Sequence, residues 1–210
     1  MGRPRAFDET AVLDAAAGEF RVHGFADTST EQLCEAAGVR RSSLYNTFIS
    51  KDELFVRSLE HYARTIRELQ VTILTDAEVR GAQRLRTLID VVVGEEHAAA
   101  EAGHAAGCMV VHSFMNPDLR ERDERIARIL ERDLRERTSL LAEAIRAGQL
   151  DGSVSPDIDP DDGALLVSTV ISGLRVTAQA GVDAETLHRI ALAGLHGLLN
   201  QHPGGNRPAP

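Results

Sequence analysis

The sequence predicts an all-α chain of about nine helices, in which a small amino-terminal three-helix domain is joined by a long helix to a larger helical domain. Three observations predict it. Apolar residues recur at helical spacing along most of the chain, and strand-like alternation is scarce. Apolar types make up 43% of the 210 residues, enough for a packed core, yet only 4% are aromatic and Trp is absent, so that core is one of Ala, Leu, Val and Ile. The stretch Thr28–Lys51 sets a glycine, Gly38, between two short amphipathic segments, the pattern of a helix-turn-helix.

The elements follow in order. Met1 to Ala6 is a short arm with Arg3 and Arg5 around Pro4. It reads as an arm for a minor groove or a phosphate, or as a frayed terminus. The first helix starts at Asp8, a good N-cap, with Phe7 and Val12 placed as a hydrophobic staple. Val12, Leu13, Ala16, Ala17 and Phe20 form its inner stripe, and Gly24 stops it.

The next helix opens at a capping box, in which Ser29 accepts from the Gln32 amide while Gln32 reaches back. Leu33, Cys34 and Ala37 share a face. Gly38 ends it, where the backbone must turn sharply, and Val39 fills the corner. A second short helix follows from about Arg41 to Thr47, with Leu44 and Phe48 inward. Its remaining residues are small and polar: Ser42, Ser43, Asn46 and Thr47. Arg40 and Arg41 stand at its amino end, the end of a recognition helix that meets bases in the major groove. Arg pairs with guanine in bidentate fashion and Asn with adenine. Tyr45, an aromatic with a polar tip, suits a phosphate.

The long helix begins at a second capping box, Ser50-Lys51-Asp52-Glu53, with Ile49 and Leu54 as its staple. It runs to about Leu74 with Leu54, Phe55, Leu59, Tyr62, Ile66, Leu69 and Ile73 facing in. Lys51 is the one lysine in the sequence. Its charge opposes the helix macrodipole, which makes sense opposite a phosphate; the plain alternative is a solvated lysine.

Thr75-Asp76-Ala77-Glu78 reads as a third capping box, opening a helix from about Ala77 to the Glu95–Ala102 region. Leu85, Leu88, Ile89, Val92 and Val93 are its stripe, and Gly103 and Gly107 break the pattern. Gly107–Met115 is a short, nearly all-apolar helix that ends at Asn116-Pro117, an N-cap and a first-turn proline. A charged amphipathic helix then runs from about Asp118 to Ala147, striped by Ile126, Leu130, Leu134, Leu141 and Ile145. After a loop, Asp159-Pro160 caps a helix to Gln179, and Gly181-Val182-Asp183 turns the chain into a last helix from Ala184 to about Gln201. Both are apolar around too much of their circumference for surface helices. A second copy of the chain would cover them, with Gly173, Ala178, Ala191 and Gly194 allowing close approach; the plain alternative is a monomer core.

Gly38-Val39, Leu44-Tyr45, Phe48 and Ser50-Lys51-Asp52-Glu53-Leu54 resemble the amino-terminal domain of the TetR-type bacterial repressors, over roughly Phe7 to Phe55. Two departures stand out: Thr47 where the family often has His, and Cys34 where it often has Ala. The first bears on which phosphate or base Thr47 meets. The resemblance implies a ligand-responsive repressor that binds a palindromic operator as a dimer; the lack of an apolar amino-terminal run or membrane-length stretch predicts that it is cytoplasmic. Residues 1–50 would bind DNA, 51–202 would bind ligand and dimerise, and 203–210 would be a disordered tail. It implies phosphate contacts by Thr28, Tyr45 and Lys51, and a homodimer through helices 160–179 and 184–201. Placement assigns base contacts to Arg40, Arg41, Ser42, Ser43 and Asn46. A small-molecule effector would sit between helices of the larger domain. Its candidate contacts are Ile89, Val93, Cys108, Met109, His112, Phe114 and Met115, each also readable as core. With His112 as the polar group among them, they suit a lipophilic or aromatic molecule. The alternative sensor is Cys108 itself, as a redox or electrophile switch near a helix amino end.

Charge does not advertise nucleic acid. The net is −9, of which residues 1–51 hold −1 and the remainder −8. The DNA reading rests on the motif, and an acidic body limits loose, sequence-independent binding. Cys34 and Cys108 lie too far apart to frame a disulfide scaffold. The amino end lacks an apolar run, so no signal peptide is expected, and no apolar run reaches membrane length. Asp157, Asp159, Asp161 and Asp162 before Gly163 miss the calcium-loop register and read as helix caps. His97, Glu101, His104, Cys108 and His112 would share a face on an unbroken helix and bind zinc, but the two glycines break it. No metal, cofactor or catalytic set is expected, and so no enzyme. The rival reading, a helical binding protein that uses the motif only for packing, leaves Arg40, Arg41, Tyr45 and Lys51 around one short helix unexplained.

Overall fold

The computed structural model describes residues 8–199. Over them the chain forms ten helices: α1 (Glu9–Asp27), α2 (Thr30–Ala37), α3 (Arg41–Phe48), α4 (Lys51–Leu74), α5 (Gly81–Glu101), α6 (Met109–Met115), α7 (Pro117–Arg122), α8 (Glu124–Leu150), α9 (Pro160–Gln179) and α10 (Ala184–Gly194). Among the described residues there is no strand, and one isolated antiparallel bridge joins Val154 to Leu199. The Arg3/Arg5 arm, the Phe7 half of the first staple and the tail fall outside the described residues. The all-α expectation holds.

These residues pack as two compact units. The first takes the chain up to Arg67 and again Ala106–Asp133; the second takes Glu68–Ala105 and the chain from Leu134 on. In the first, Asp8 caps α1 by accepting from Ala11 N at 3.2 Å. The expected stripe of α1 is buried, together with Leu33, Leu44, Phe48, Leu54, Phe55 and Leu59. Phe20, Phe25 and Phe55 meet edge to face or stacked at 5.0–6.3 Å between ring centres. Such pairs add about 0.5–1.5 kcal/mol each beyond simple burial. Gly24 interrupts α1 with φ 74° and ψ 174°, and a last turn carries on to Asp27. Asn116 caps α7 by accepting from Leu119 N at 3.4 Å, with Pro117 in its first turn.

In the second unit Leu85, Leu88, Ile89, Val92 and Val93 of α5 pack with Leu141 and Ile145 of α8, Val167 and Leu174 of α9, and Leu187 and Ala191 of α10. A buried ion pair sits beside that core, where Arg175 reaches Glu96 at 2.7 Å and Glu95 at 2.5 Å. Gly148 has no room for a side chain: a Cβ there would lie 2.3 Å from Val154 Cγ2.

Five expectations need correction. The charged segment after Asn116 is two helices, not one, because Asp123 leaves helical conformation (φ −146°, ψ 110°) and accepts from Arg125 N at 2.9 Å; the total is therefore ten, not nine. The third capping box does not form. The Thr75 hydroxyl instead donates back to Val71 O at 2.8 Å, and α5 starts at Gly81. Its amino end is capped from 70 residues away, by Asp151 accepting from Gly81 N at 2.8 Å and Ser153 from Ala82 N at 3.0 Å. The Ile49 half of the second staple fails, since Ile49 is 81% exposed, although Ser50 does accept from Glu53 N at 3.1 Å. Leu69 and Leu134, expected to face in, lie outward. The last helix ends at Gly194, with Leu195, Leu198 and Leu199 buried in the turns beyond it.

Candidate nucleic-acid interface

The helix-turn-helix forms as the local sequence dictates. Gln32 N donates to Ser29 Oγ at 3.2 Å and Ser29 N donates to Gln32 Oε1 at 2.7 Å, so two otherwise unpaired amides at the start of α2 are satisfied. Gly38 takes the left-handed conformation (φ 64°, ψ 30°) that closes α2 and aims the chain into α3. Val39 packs half-buried against the core, its N–H donating to Cys34 O at 3.0 Å. Burial pushes the Cys34 thiol up, which fits its place on the packed face.

On α3, Leu44 and Phe48 are buried, which turns the opposite side to water. Arg40, Arg41, Ser42 and Asn46 are exposed, and Ser43 and Thr47 are half-buried. Arg40 precedes the helix in extended conformation and, having no acceptor, leaves the helix end without a side-chain cap. Arg41 lies over the Tyr45 ring, 5.6 Å from its centre. The Tyr45 hydroxyl pairs with Thr30 Oγ1 at 2.8 Å and so ties α3 to the start of α2. Thr30 escaped the sequence reading, because nothing in a threonine one place after a cap signals a partner fifteen residues on.

Lys51 stands at the amino end of α4. Its Nζ lies 4.6 Å from the centre of the Phe25 ring and donates to Ala26 O at 3.5 Å. Burial lowers its pKa, against the opposing pull of the Asp52 carboxylate. Arg122 lies over the same Phe25 ring at 5.3 Å. Between α3 and α4, Ile49 takes φ 63° and ψ −47°, and Ser50 N donates back to Phe48 O at 2.5 Å in a γ-turn.

Thr28 is a correction. It is fully buried, and its hydroxyl donates to Gly24 O at 2.5 Å, so no atom of it faces a phosphate. Its work is to hold the broken end of α1 beside the start of α2.

The expected ligand contacts divide. Ile89 and Val93 are buried in the core of the second unit. In the first unit, Met109, His112 and Met115 line a cavity of ≈300 Å³ against α1 and α4, while Cys108 and Phe114 pack half-buried on the core. The second unit has a cavity of its own, ≈470 Å³, beside Glu96, His104 and Asp183. The histidine-rich stretch is broken: α5 ends at Glu101, and Gly103 and Gly107 take φ 85° and 65°. No group of three or more metal-ligating side chains gathers among the described residues. Asp159 caps α9 by accepting from Asp161 N and Asp162 N at 2.9 and 3.2 Å. No helix of the described residues is long and apolar enough to cross a membrane.

Comparison with known proteins agrees with this geometry. Residues 12–57 match the family model for bacterial regulatory proteins of the tetR family. The chain is 29% identical to the HTH-type transcriptional repressor ComR of Escherichia coli K12 over 197 residues, covering 90% of this chain and 88% of ComR. It is 32% identical to the repressor BdcR of the same strain over 122 residues, covering 58% of this chain and 60% of BdcR. Among solved structures, a cysteine mutant of the TetR family transcriptional regulator CifR, complexed with 26-bp operator DNA, is similar with a TM-score of 0.74 and 30% identity, covering 92% of this chain and 98% of CifR.

Proposed function

The chain belongs to the TetR family of bacterial transcriptional regulators, and from that we propose that it is a cytoplasmic repressor whose dimer binds a palindromic operator and lets go when a small lipophilic or aromatic molecule binds. It is a DNA-binding regulator and not an enzyme. One observation carries the finer reading. The outward side of α3 is polar, and two exposed arginines, Arg40 and Arg41, stand at its amino end. In the bound state Arg40, Arg41, Ser42, Ser43 and Asn46 read bases, while Tyr45 and Lys51 hold phosphates. Thr47 donates to Ser43 O at 3.4 Å and stands ready for either role.

Residues 1–50 serve as the reading head and 51–202 as the sensing and pairing part. The dimer reading is supported by α9, where Leu165, Leu166, Gly173 and Val176 are exposed along one face that carries no charge beyond its first turn. Of the four small residues expected there, Gly173 and Gly194 are exposed, whereas Ala178 and Ala191 belong to the core.

The test is binding to a fragment of the region upstream of its own coding sequence at two salt concentrations, beside an Arg41→Ala/Tyr45→Ala double variant. Sequence-specific retention that the variant loses supports the reading. Equal binding to any DNA by both proteins, repeated after selection from random sequence, would sink it.

A second reading has one observation in its favour. Cys108 is the N-cap residue of α6, next to Met109 on the cavity wall. If it is the sensor, N-ethylmaleimide releases operator from wild type and from Cys34→Ser but not from Cys108→Ser.

A further inference from the structure

We propose that the open cleft between α1, α4, α6 and α7 takes a flat aromatic molecule carrying one hydrogen-bonding substituent, and that its occupancy reaches the DNA-facing side through Phe25. The second half rests on the regulator reading; the first half stands without it.

The cavity measures ≈300 Å³, at the small end of ligand pockets and large enough for two fused rings. Its apolar wall is the half-buried Phe25 ring and the exposed Met115 thioether, backed by the buried Phe20, Phe55 and Met109. Met115 is 74% exposed at the rim, an apolar side chain left in water that a bound ring would cover. The polar side is narrow. Asn116 uses its Oδ1 on Leu119 N at 3.4 Å, which leaves its NH₂ to donate. The His112 ring stands half-buried beside it. A phenolic hydroxyl there accepts from Asn116 and donates to His112, whereas a charged group would meet no opposite charge on this lining.

Phe25 is where this wall meets the other face. The ring that lines the cavity also lies beneath Lys51 at 4.6 Å and Arg122 at 5.3 Å. Gly24, beside it on the wall, is the break in α1, and its carbonyl holds the Thr28 hydroxyl at 2.5 Å one residue before the cap of α2. A ring entering against Phe25 displaces the surface on which Lys51 rests and strains the hinge that sets α2 in place. A ligand that fits only the displaced arrangement draws the population away from the DNA-binding one.

The probe is 2-naphthol, titrated into the full-length protein by calorimetry, with and without selected operator DNA. We expect one site per chain. Met115→Trp, which fills the mouth from an exposed position, weakens it by about tenfold or more. His104→Trp, placed in the other cavity, leaves it unchanged. Saturating naphthol lowers operator affinity of wild type by about tenfold, and Phe25→Leu, checked for folding by circular dichroism, keeps measurable naphthol binding but loses most of that release. Naphthol that does not bind, or that binds Met115→Trp as well as wild type, overturns the cavity assignment while leaving the regulator reading in place. Release that survives in Phe25→Leu overturns the relay. A wild type that binds no operator sinks the regulator reading and the relay with it, and the naphthol arms still decide the cavity.

Discussion

Tyr45 and Thr30 join the two helices of the helix-turn-helix through hydroxyls 2.8 Å apart, while Arg41 covers the Tyr45 ring. The pair sets the pitch of α3 against α2. Tyr45→Phe keeps the ring and its cation and removes only the hydroxyl. It should lower stability by about 0.5–1.5 kcal/mol, the usual worth of one such bond. Thr30→Val should cost a similar amount. Tyr45→Phe should weaken operator binding the more of the two, since it also removes the group proposed for the phosphate. Urea unfolding and operator titration of both variants check this, and equal DNA affinities would remove Tyr45 from the contact set.

Ile49 is a β-branched residue in a positive-φ γ-turn with its side chain 81% exposed, so it gains little from packing and carries backbone strain. Ile49→Gly should therefore stabilise the free protein by about 1 kcal/mol, because left-handed geometry costs other residues roughly 1–2 kcal/mol and glycine almost nothing. A midpoint in urea that falls instead would show that the side chain is supported in a way its exposure does not reveal.

Gly148 approaches Val154 and Gly81 so closely that a Cβ has no place: 2.3 Å from Val154 Cγ2 and 3.3 Å from Gly81 Cα. Gly148→Ala should destabilise by about 2 kcal/mol or more, in the range of overpacked cores. Gly94→Ala on α5, where an added Cβ meets nothing within 4 Å, is the control and should be near neutral or stabilising as a helical substitution. Thermal unfolding of the two variants decides it.

Local chemistry explains which parts of the fold were legible in the sequence. Asp8, Ser29, Asn116 and Asp159 each cap the helix that follows, because a cap and its amides lie within three residues of one another. The start of α5 was not legible, because its caps, Asp151 and Ser153, arrive from a distant loop. Thr28 misled for a related reason: a threonine that faces a phosphate and one that bonds Gly24 O look alike in sequence. The polar side of α3 followed from the positions of Leu44 and Phe48. The cavity did not, because Phe20, Phe25 and Phe55 from α1 and α4 face Met109 and Met115 only after the chain folds back.

Asp123 divides α7 from α8 and offers a pH signature. The Arg125 side chain, bonded at 2.7 Å, holds its carboxyl below the ordinary value of 3.8, against a smaller opposing effect of burial. The folded state thus binds this proton less tightly than the unfolded chain. The stabilisation is whole above the ordinary value and is lost as pH falls through the lower folded one. Asp123→Asn keeps an oxygen for Arg125 N and loses the charge. Its deficit against wild type should be present at about pH 6 and vanish toward about pH 2. A deficit independent of pH would assign the effect to geometry alone.

Val176 is 53% exposed on α9, one helical face with Leu165 at 51% and Leu166 at 37%. An uncharged apolar stripe of this kind needs a cover, and in a two-fold pair each stripe covers its own copy. Val176→Arg then places two guanidiniums near one axis, in the part of the stripe from Leu165 to Val176 that carries no charge. The variant should sediment as a folded monomer at micromolar concentration with a helical spectrum unchanged. Its operator affinity should fall by more than about tenfold, because two half-sites are read together only when the heads are joined. Arg135→Val, exposed on α8 outside the two pairing helices, should leave both properties alone. A Val176→Arg protein that remains a dimer would move the interface to another face, and one that is monomeric yet binds operator as tightly as wild type would remove pairing from the mechanism of recognition.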